Sequence, residues 1–204
     1  LAVGATLLLS ALPAEPASFA YARSGSIVYV IDTANPSIVA RIPIGAGFGG
    51  TPAVDPSETR VYTANFFENT VAVVDIASRT VIGQIPVSHP GIVLMHPSGR
   101  IAYVNGATTV DGVGARLVAV IDTATNTVIA IIPMGPGFFV RSMVLHPAGT
   151  KLYVSALNST GGPGGMVVVL DTSTHAVTTT ITVDGLGALA AHPAGTFVYI
   201  LNSN

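Results

Sequence analysis

The chain has no cysteine and little charge: eight Lys and Arg and ten Asp and Glu among 204 residues, for a formal net charge of −2. Without cysteine there is no disulfide, and this leaves export open, since many exported bacterial proteins carry none. The eight basic residues are scattered singly, so there is no basic stripe for nucleic acid. No apolar run reaches the roughly 18 residues needed to cross a bilayer, and no membrane span is expected. Metal and nucleophile signatures such as HExxH and GxSxG are missing. The stretch Gly161 to Gly165 is glycine-rich but lacks the lysine and following helix of a phosphate loop. No metal site and no cofactor is implied.

What the chain does have is apolar sequence in short pieces. Half of its residues are hydrophobic and the mean hydropathy is +0.65. The pieces are runs of five to eight residues rich in Val, Ile and Tyr, bounded by Gly, Pro, Asn, Asp or Thr, which is the pattern of strands joined by tight turns. No run keeps a 3.6-residue period long enough for a helix. The cleanest unit runs from Leu117 to Val154, and two landmarks recur in step with it. One is an apolar run ending in Asp32, Asp75, Asp122 or Asp171, spaced 43, 47 and 49 residues apart. The other is a turn, Asp55-Pro56-Ser57, His96-Pro97-Ser98-Gly99, His146-Pro147-Ala148-Gly149 or His192-Pro193-Ala194-Gly195, followed by a strand carrying Tyr62, Tyr103, Tyr153 or Tyr199.

A period in the forties with four short strands per unit predicts an all-β fold, a β-propeller of four-stranded antiparallel blades. With the strands of a blade lettered a to d from the channel outward, the chain reads b-c-d, three full blades, then a-b. About four blades are present, either closing on themselves with the first b strand displaced or standing within a larger, seven-bladed ring; the leftover b strand favours the larger ring. In the a–b turns, proline presets φ and glycine takes the left-handed position. In the c–d turns, aspartate accepts backbone N–H groups and Asn126 tolerates positive φ. Pro36 stands where Asn126 does, so the first c–d hairpin is expected to be irregular.

The stretches Phe19-Ala-Tyr-Ala22, Val28 to Ala34, Asp122 to Ala130, Ile132-Pro-Met-Gly135 and Leu152-Tyr-Val-Ser155 resemble the YVTN β-propeller repeat. The resemblance covers roughly residues 18 to 204. It implies a YncE-like protein, secreted or at the cell surface, with the same fold. Residues 1–20 differ in kind from the repeats of 21–204. Leu1 to Leu12 is apolar, Pro13 to Pro16 breaks the run, and Ser18-Phe19-Ala20 offers the small residues a signal peptidase reads. This resembles a secretory signal peptide, and the chain lacks an initiator Met and a basic leading region. The other readings are a truncated N-terminal segment and a first strand of the first blade.

Propeller geometry puts the d–a and b–c links on one face, where ligands are usually met. Phe48, Phe66, Phe67, Phe138 and Phe139 fall in those links, an aromatic concentration in a chain with 6% aromatic residues. They suit an apolar or stacking surface for a sugar, a peptide or a partner protein, or else they cover gaps between blades. Arg141 and Glu68 are the charged residues beside them, with Asp111 a weaker third, and His89 is the one histidine expected on that face. The links 106–115 and 157–165 are read as long glycine-rich loops, and 135–141 as a d–a link. His96, His146 and His192 precede proline in the a–b turns and are read as turn residues. The repeat aspartates are read likewise; setting those four aside leaves six acidic residues, few for general acid and base work. The expectation is a non-catalytic, extracytoplasmic binding scaffold for a protein or carbohydrate partner at the envelope. The alternative is an enzyme: His96 to Val104 is similar to a hairpin of the bacterial lactonase propellers, which hydrolyse sugar lactones.

Overall fold

The computed structural model of the chain describes residues 18–47, 49–110, 113–158 and 164–201; the side chains of 108–110, 113, 114 and 136 are not described. Phe48, Asp111, most of the leader-like segment and residues 161–163 lie outside the described residues.

The described residues form seventeen strands and no helix, in five antiparallel sheets. The first holds β1 (Phe19–Ser24), β2 (Ile27–Asp32) and β3 (Ser37–Pro43). The second is β4 (Ala53–Val54), β5 (Arg60–Asn65), β6 (Thr70–Asp75) and β7 (Thr80–Pro86). The third is β8 (Val93–Met95), β9 (Ile101–Val110), β10 (Val113–Asp122) and β11 (Thr127–Pro136). The fourth is β12 (Phe138–Leu145), β13 (Lys151–Asn158), β14 (Gly165–Asp171) and β15 (Val177–Val183), and the fifth pairs β16 (Leu189–Ala191) with β17 (Val198–Ile200). Each sheet is a meander in chain order, so the sequence reads b-c-d, three times a-b-c-d, then a-b, as the repeat predicts.

The cores lie between the sheets. Val28, Val30 and Ile42 of the first sheet pack on Val61, Ala72 and Val74 of the second. The opposite face of the second sheet, with Tyr62, Val71 and Val73, packs on Val104, Ala119 and Ile121 of the third. The third meets the fourth through Val118, Val120, Leu152, Val154 and Val168. A c strand therefore faces a neighbouring blade on both sides, which is why Val71 to Val74 is apolar without alternation and wholly buried. The outer d strands β7 and β11 alternate, with Ile82, Ile129 and Ile131 exposed, whereas β15 is exposed along almost its whole length.

Each c–d hairpin carries a bulge at one register, with Val39, Ile82, Ile129 and Thr178 as the extra residues. The first hairpin keeps that register, pairing Asp32 with Ser37 as Asp122 pairs with Thr127. Asp32 accepts the N–H of Ala34 at 2.8 Å and of Asn35 at 3.0 Å, as Asp122 does for Ala124 and Thr125 at the same distances. The irregularity expected from Pro36 is absent; the aspartate fixes the turn, and the left-handed residue of the others, Arg79, Asn126 and His175, is dispensable. The expected loops also shrink. The third sheet's b–c ladder runs without a break to Val110 opposite Val113, and a single residue, Gly137, separates β11 from β12. Phe138, Phe139 and Arg141 therefore stand on an a strand and not in a loop.

Candidate functional site

The expected residues fall into two groups on the face of the b–c and d–a links. The first is built by the turn 66–69 between β5 and β6 and the link that follows β7. Phe66 meets Phe67 edge-on, with ring centroids 5.5 Å apart, and meets the His89 ring at 5.0 Å. His89 adopts φ 45° immediately before Pro90, a conformation that costs a non-glycine residue energy. Two bonds hold it there: its N–H donates to Asn69 Oδ1 at 2.9 Å, and Ser88 Oγ lies 3.1 Å from its Nδ1. The imidazole is thus fixed against Phe66, whose other ring neighbour, Phe67, is 65% exposed.

Glu68 has a bracing role. Its carboxylate accepts the Ala46 N–H at 2.6 Å and occupies space that a side chain at Gly45 would fill. Arg23 holds the same link from the first blade, donating to Gly47 O at 3.1 Å and to Thr63 Oγ1 at 3.3 Å. Desolvation lowers the pKa of Arg23, and the Glu68 charge works the other way. Asn65 donates to Ile44 O from a fully buried position. Sequence reading missed Arg23 because its partners are two glycine carbonyls and a threonine hydroxyl 40 residues away, which leave no local mark in the sequence.

The second group sits where β10 and β12 approach. Phe139 is 44% exposed, and the Arg116 guanidinium lies over its ring at 4.7 Å, within cation–π range. Arg141 is exposed and occupies a bulge: Val140 pairs with Ala156 and Ser142 with Ser155, which leaves it unmatched. Phe138, Met166, Thr180 and Thr182 line a groove of about 200 Å³. Arg116 went unseen in the sequence because it falls between what reads as loop, 106–115, and the strand read from Leu117, whereas β10 already begins at Val113.

The opposite face is closed. Each a–b turn is tied by an N–H to O bond of 2.7 to 2.8 Å, from Glu58 to Asp55, Gly99 to His96, Gly149 to His146 and Gly195 to His192. His96 accepts the Ser98 N–H at Nδ1, 3.1 Å, which places the proton on Nε2; that atom donates across the blade junction to Gly149 O at 2.9 Å. His146 repeats the bond to Gly195 O at 3.2 Å. The turn role read for these histidines holds, and the cross-blade bond is new. Both ring nitrogens of His96 are occupied, including in the hairpin that is similar to lactonase propellers. Among the described residues no three His, Asp or Glu gather as a metal would need. The aspartates are acceptors as read. Hydrogen bonds from the Ser173 hydroxyl and the Thr174 N–H bring Asp171 down to about 2.

No protein-family model matches the chain. It is 32% identical over 152 residues to the seven-bladed beta-propeller protein Rv1057 of Mycobacterium tuberculosis, covering 74% of this chain and 36% of that protein. The chain thus spans about a third of the length of that relative. Among solved structures, it resembles the Myceliophteria thermophila Cps50 (Swd1) beta-propeller domain, with a TM-score of 0.67, 12% identity, and coverage of 91% of this chain and 59% of that one. It also resembles the dihydro-heme d1 dehydrogenase NirN in complex with DHE, with a TM-score of 0.58, 17% identity, and coverage of 81% and 35%. The chain is a β-propeller. Three of its sheets are complete four-stranded antiparallel blades among the described residues, and those two solved structures share the fold alone. Among the described residues no helix is long and apolar enough to cross a membrane.

Proposed function

We propose that this propeller is a non-catalytic binding module, exported from the cytoplasm, that presents its link face to a protein or carbohydrate partner at the cell envelope. The observation that carries the reading is the contrast between its two faces. On one, histidine, aspartate and threonine side chains are spent on the turns of that face, their own or a neighbouring one, as Thr123 Oγ1 is on Gly99 O at 2.6 Å. On the other, Phe67 and Phe139 stand exposed, with His89 against Phe66 and Arg116 against Phe139, held by backbone that is braced from beneath. Rigid aromatic anchors on a braced scaffold favour binding at low entropic cost. The YVTN-type, YncE-like assignment is supported by the recurring Asp-Thr and Tyr-Val motifs. It falls if a repeat-by-repeat alignment finds them shared as closely with unrelated propellers.

Glycan and peptide arrays probed with the labelled chain test the binding reading. A double variant, Phe67→Ala with Phe139→Ala, should lose its array ligands, whereas Lys151→Ala on the far side should keep them. Equal retention by both variants rejects the link face. A lactone-opening assay with and without chelator tests the non-catalytic part: saturable turnover would overturn it. Export is checked by fractionating cells that express the tagged native gene, and a tag that stays with cytoplasmic markers rejects it.

A further inference from the structure

Among the described residues the ladders contain two irregularities that do not recur from blade to blade, and an arginine stands at each. Beside the repeated c–d bulges, the register shifts between Arg116 and Leu117 on β10, with Met134 as the extra residue opposite. It shifts again on β12, where Arg141 is itself the extra residue. Bulges outside the common pattern re-aim side chains, and they gather beside sites. Arg116 is half-buried and pairs with Gly135 on one side and Ala107 on the other, so neither neighbour crowds its stem. Among the described residues neither Arg116 nor Arg141 has a hydrogen-bond acceptor or an ion-pair partner. A guanidinium offers five N–H donors in a planar fork, and those of Arg116 are left open for an incoming anion.

The geometry points to a site for a ring-bearing carboxylate at this blade junction, with Arg116 and Arg141 holding the carboxylate and Phe138 receiving the ring. This rests on the binding-face reading and names the chemistry of part of it. Phe139 holds the Arg116 guanidinium from one side, at 4.7 Å, and leaves its N–H groups for an anion, where two parallel N–H bonds fit a carboxylate. Phe138 joins the two halves of the site. Its Cδ2 lies 3.9 Å from where a β-carbon on Gly135 would stand, next to Arg116 in the ladder, and its ring walls the groove of about 200 Å³. Met166 gives that groove an apolar surface, and Thr180 and Thr182 give it hydroxyls, which suits one ring of a uronic acid or an aromatic acid.

Isothermal titration calorimetry with D-glucuronate and with benzoate tests this, using D-glucose, benzyl alcohol and acetate as controls. At least one ring carboxylate should saturate and the three controls should not; which one binds separates the saccharide source from the aromatic source. Arg116→Gln should weaken binding about tenfold or more, and Arg116→Lys should not restore it, because an ammonium lacks the fork. Arg141→Gln, an exposed position, provides a second variant whose folding is not at risk, and should also weaken binding. Neither ring acid saturating by ~50 mM, well past the millimolar constants expected of one ring and one ion pair, overturns the site. So does wild-type affinity in both glutamine variants. If the ring acids fail while array ligands still depend on Phe67, the binding face stands and this site falls. If they bind through Arg116 while no array ligand depends on the face, the broader reading falls instead.

Discussion

Glu58 stands at the fourth position of its a–b turn with φ 55°, where the other blades place Gly99, Gly149 and Gly195 at 71° to 74°. The left-handed region costs a side chain about 1–2 kcal/mol, while glycine gives back roughly 0.5–1 kcal/mol through its freer unfolded chain. The first effect is larger, so Glu58→Gly should raise stability by about 0.5 kcal/mol, read from the urea midpoint at unchanged slope. The turn aspartates predict a pH dependence with a definite sign. The carboxyl of Asp171 falls from 3.8 to about 2, chiefly because the Ser173 hydroxyl and the Thr174 N–H donate to it, and Asp32, Asp75 and Asp122 shift the same way. A depressed folded-state pKa means stabilisation that is complete above the unfolded value and lost as pH falls from 3.8 toward 2. Melting temperature followed from pH 6 to pH 2 should therefore drop less steeply in Asp171→Asn, which should start below wild type at pH 6. Equal slopes would remove the aspartate from the acid transition.

Hairpins and their junctions divide what the sequence discloses from what it hides. The c–d hairpins were legible because aspartate, threonine and the strand runs act locally, within six residues. Pro36 misled because its left-handed counterpart, Asn126, looked indispensable to the turn, while the hydrogen bonds to Asp32 alone hold it. Asn126 has a second use across the junction, accepting the Tyr62 hydroxyl at 3.4 Å. One blade on, His175 takes its place, and the Tyr103 and His175 rings lie 6.2 Å apart. Among the described residues the Tyr103 hydroxyl and His175 Nδ1 are buried without partners, and burial, with the Asp171 charge, pushes Tyr103 up to about 12. His175→Asn should supply the missing acceptor and raise stability by about 1 kcal/mol, a normal net hydrogen bond. Tyr103→Phe removes only an unpaired hydroxyl and should cost nothing, whereas Tyr62→Phe should lose a bond. Chemical denaturation of the three variants decides it, and a costly Tyr103→Phe would mean that the hydroxyl is already satisfied.

Across the whole molecule, the repeat disclosed the order of all five sheets, because each strand's pattern follows from facing one blade, two blades or solvent. The candidate site was legible only by face. Phe66, Phe67, His89, Phe138, Phe139 and Arg141 do lie at the expected end, but the partnership of Arg116 with Phe139 joins different blades, and no local pattern encodes it. The same holds for the bond from His96 to Gly149, 53 residues apart. In a chain of repeats, stability depends on such junction contacts as much as on each repeat. Two glycines separate the terms. Gly99 and Gly149 share the same turn position and nearly the same φ, 72° and 74°. A β-carbon on Gly99 would meet Pro56 at 3.3 Å, a tight contact, while one on Gly149 would press on His96 Nε2 at 2.5 Å and break the clasp between blades. Gly99→Ala should therefore cost about 1–2 kcal/mol, the left-handed penalty. Gly149→Ala should cost about 1 kcal/mol more, because it loses the cross-blade bond as well. In a His96→Ala background that excess should vanish, since the clash and the bond both require the imidazole. Unequal costs that persist without His96 would place the difference inside the turn, and the clasp would then contribute nothing to holding the third and fourth blades together.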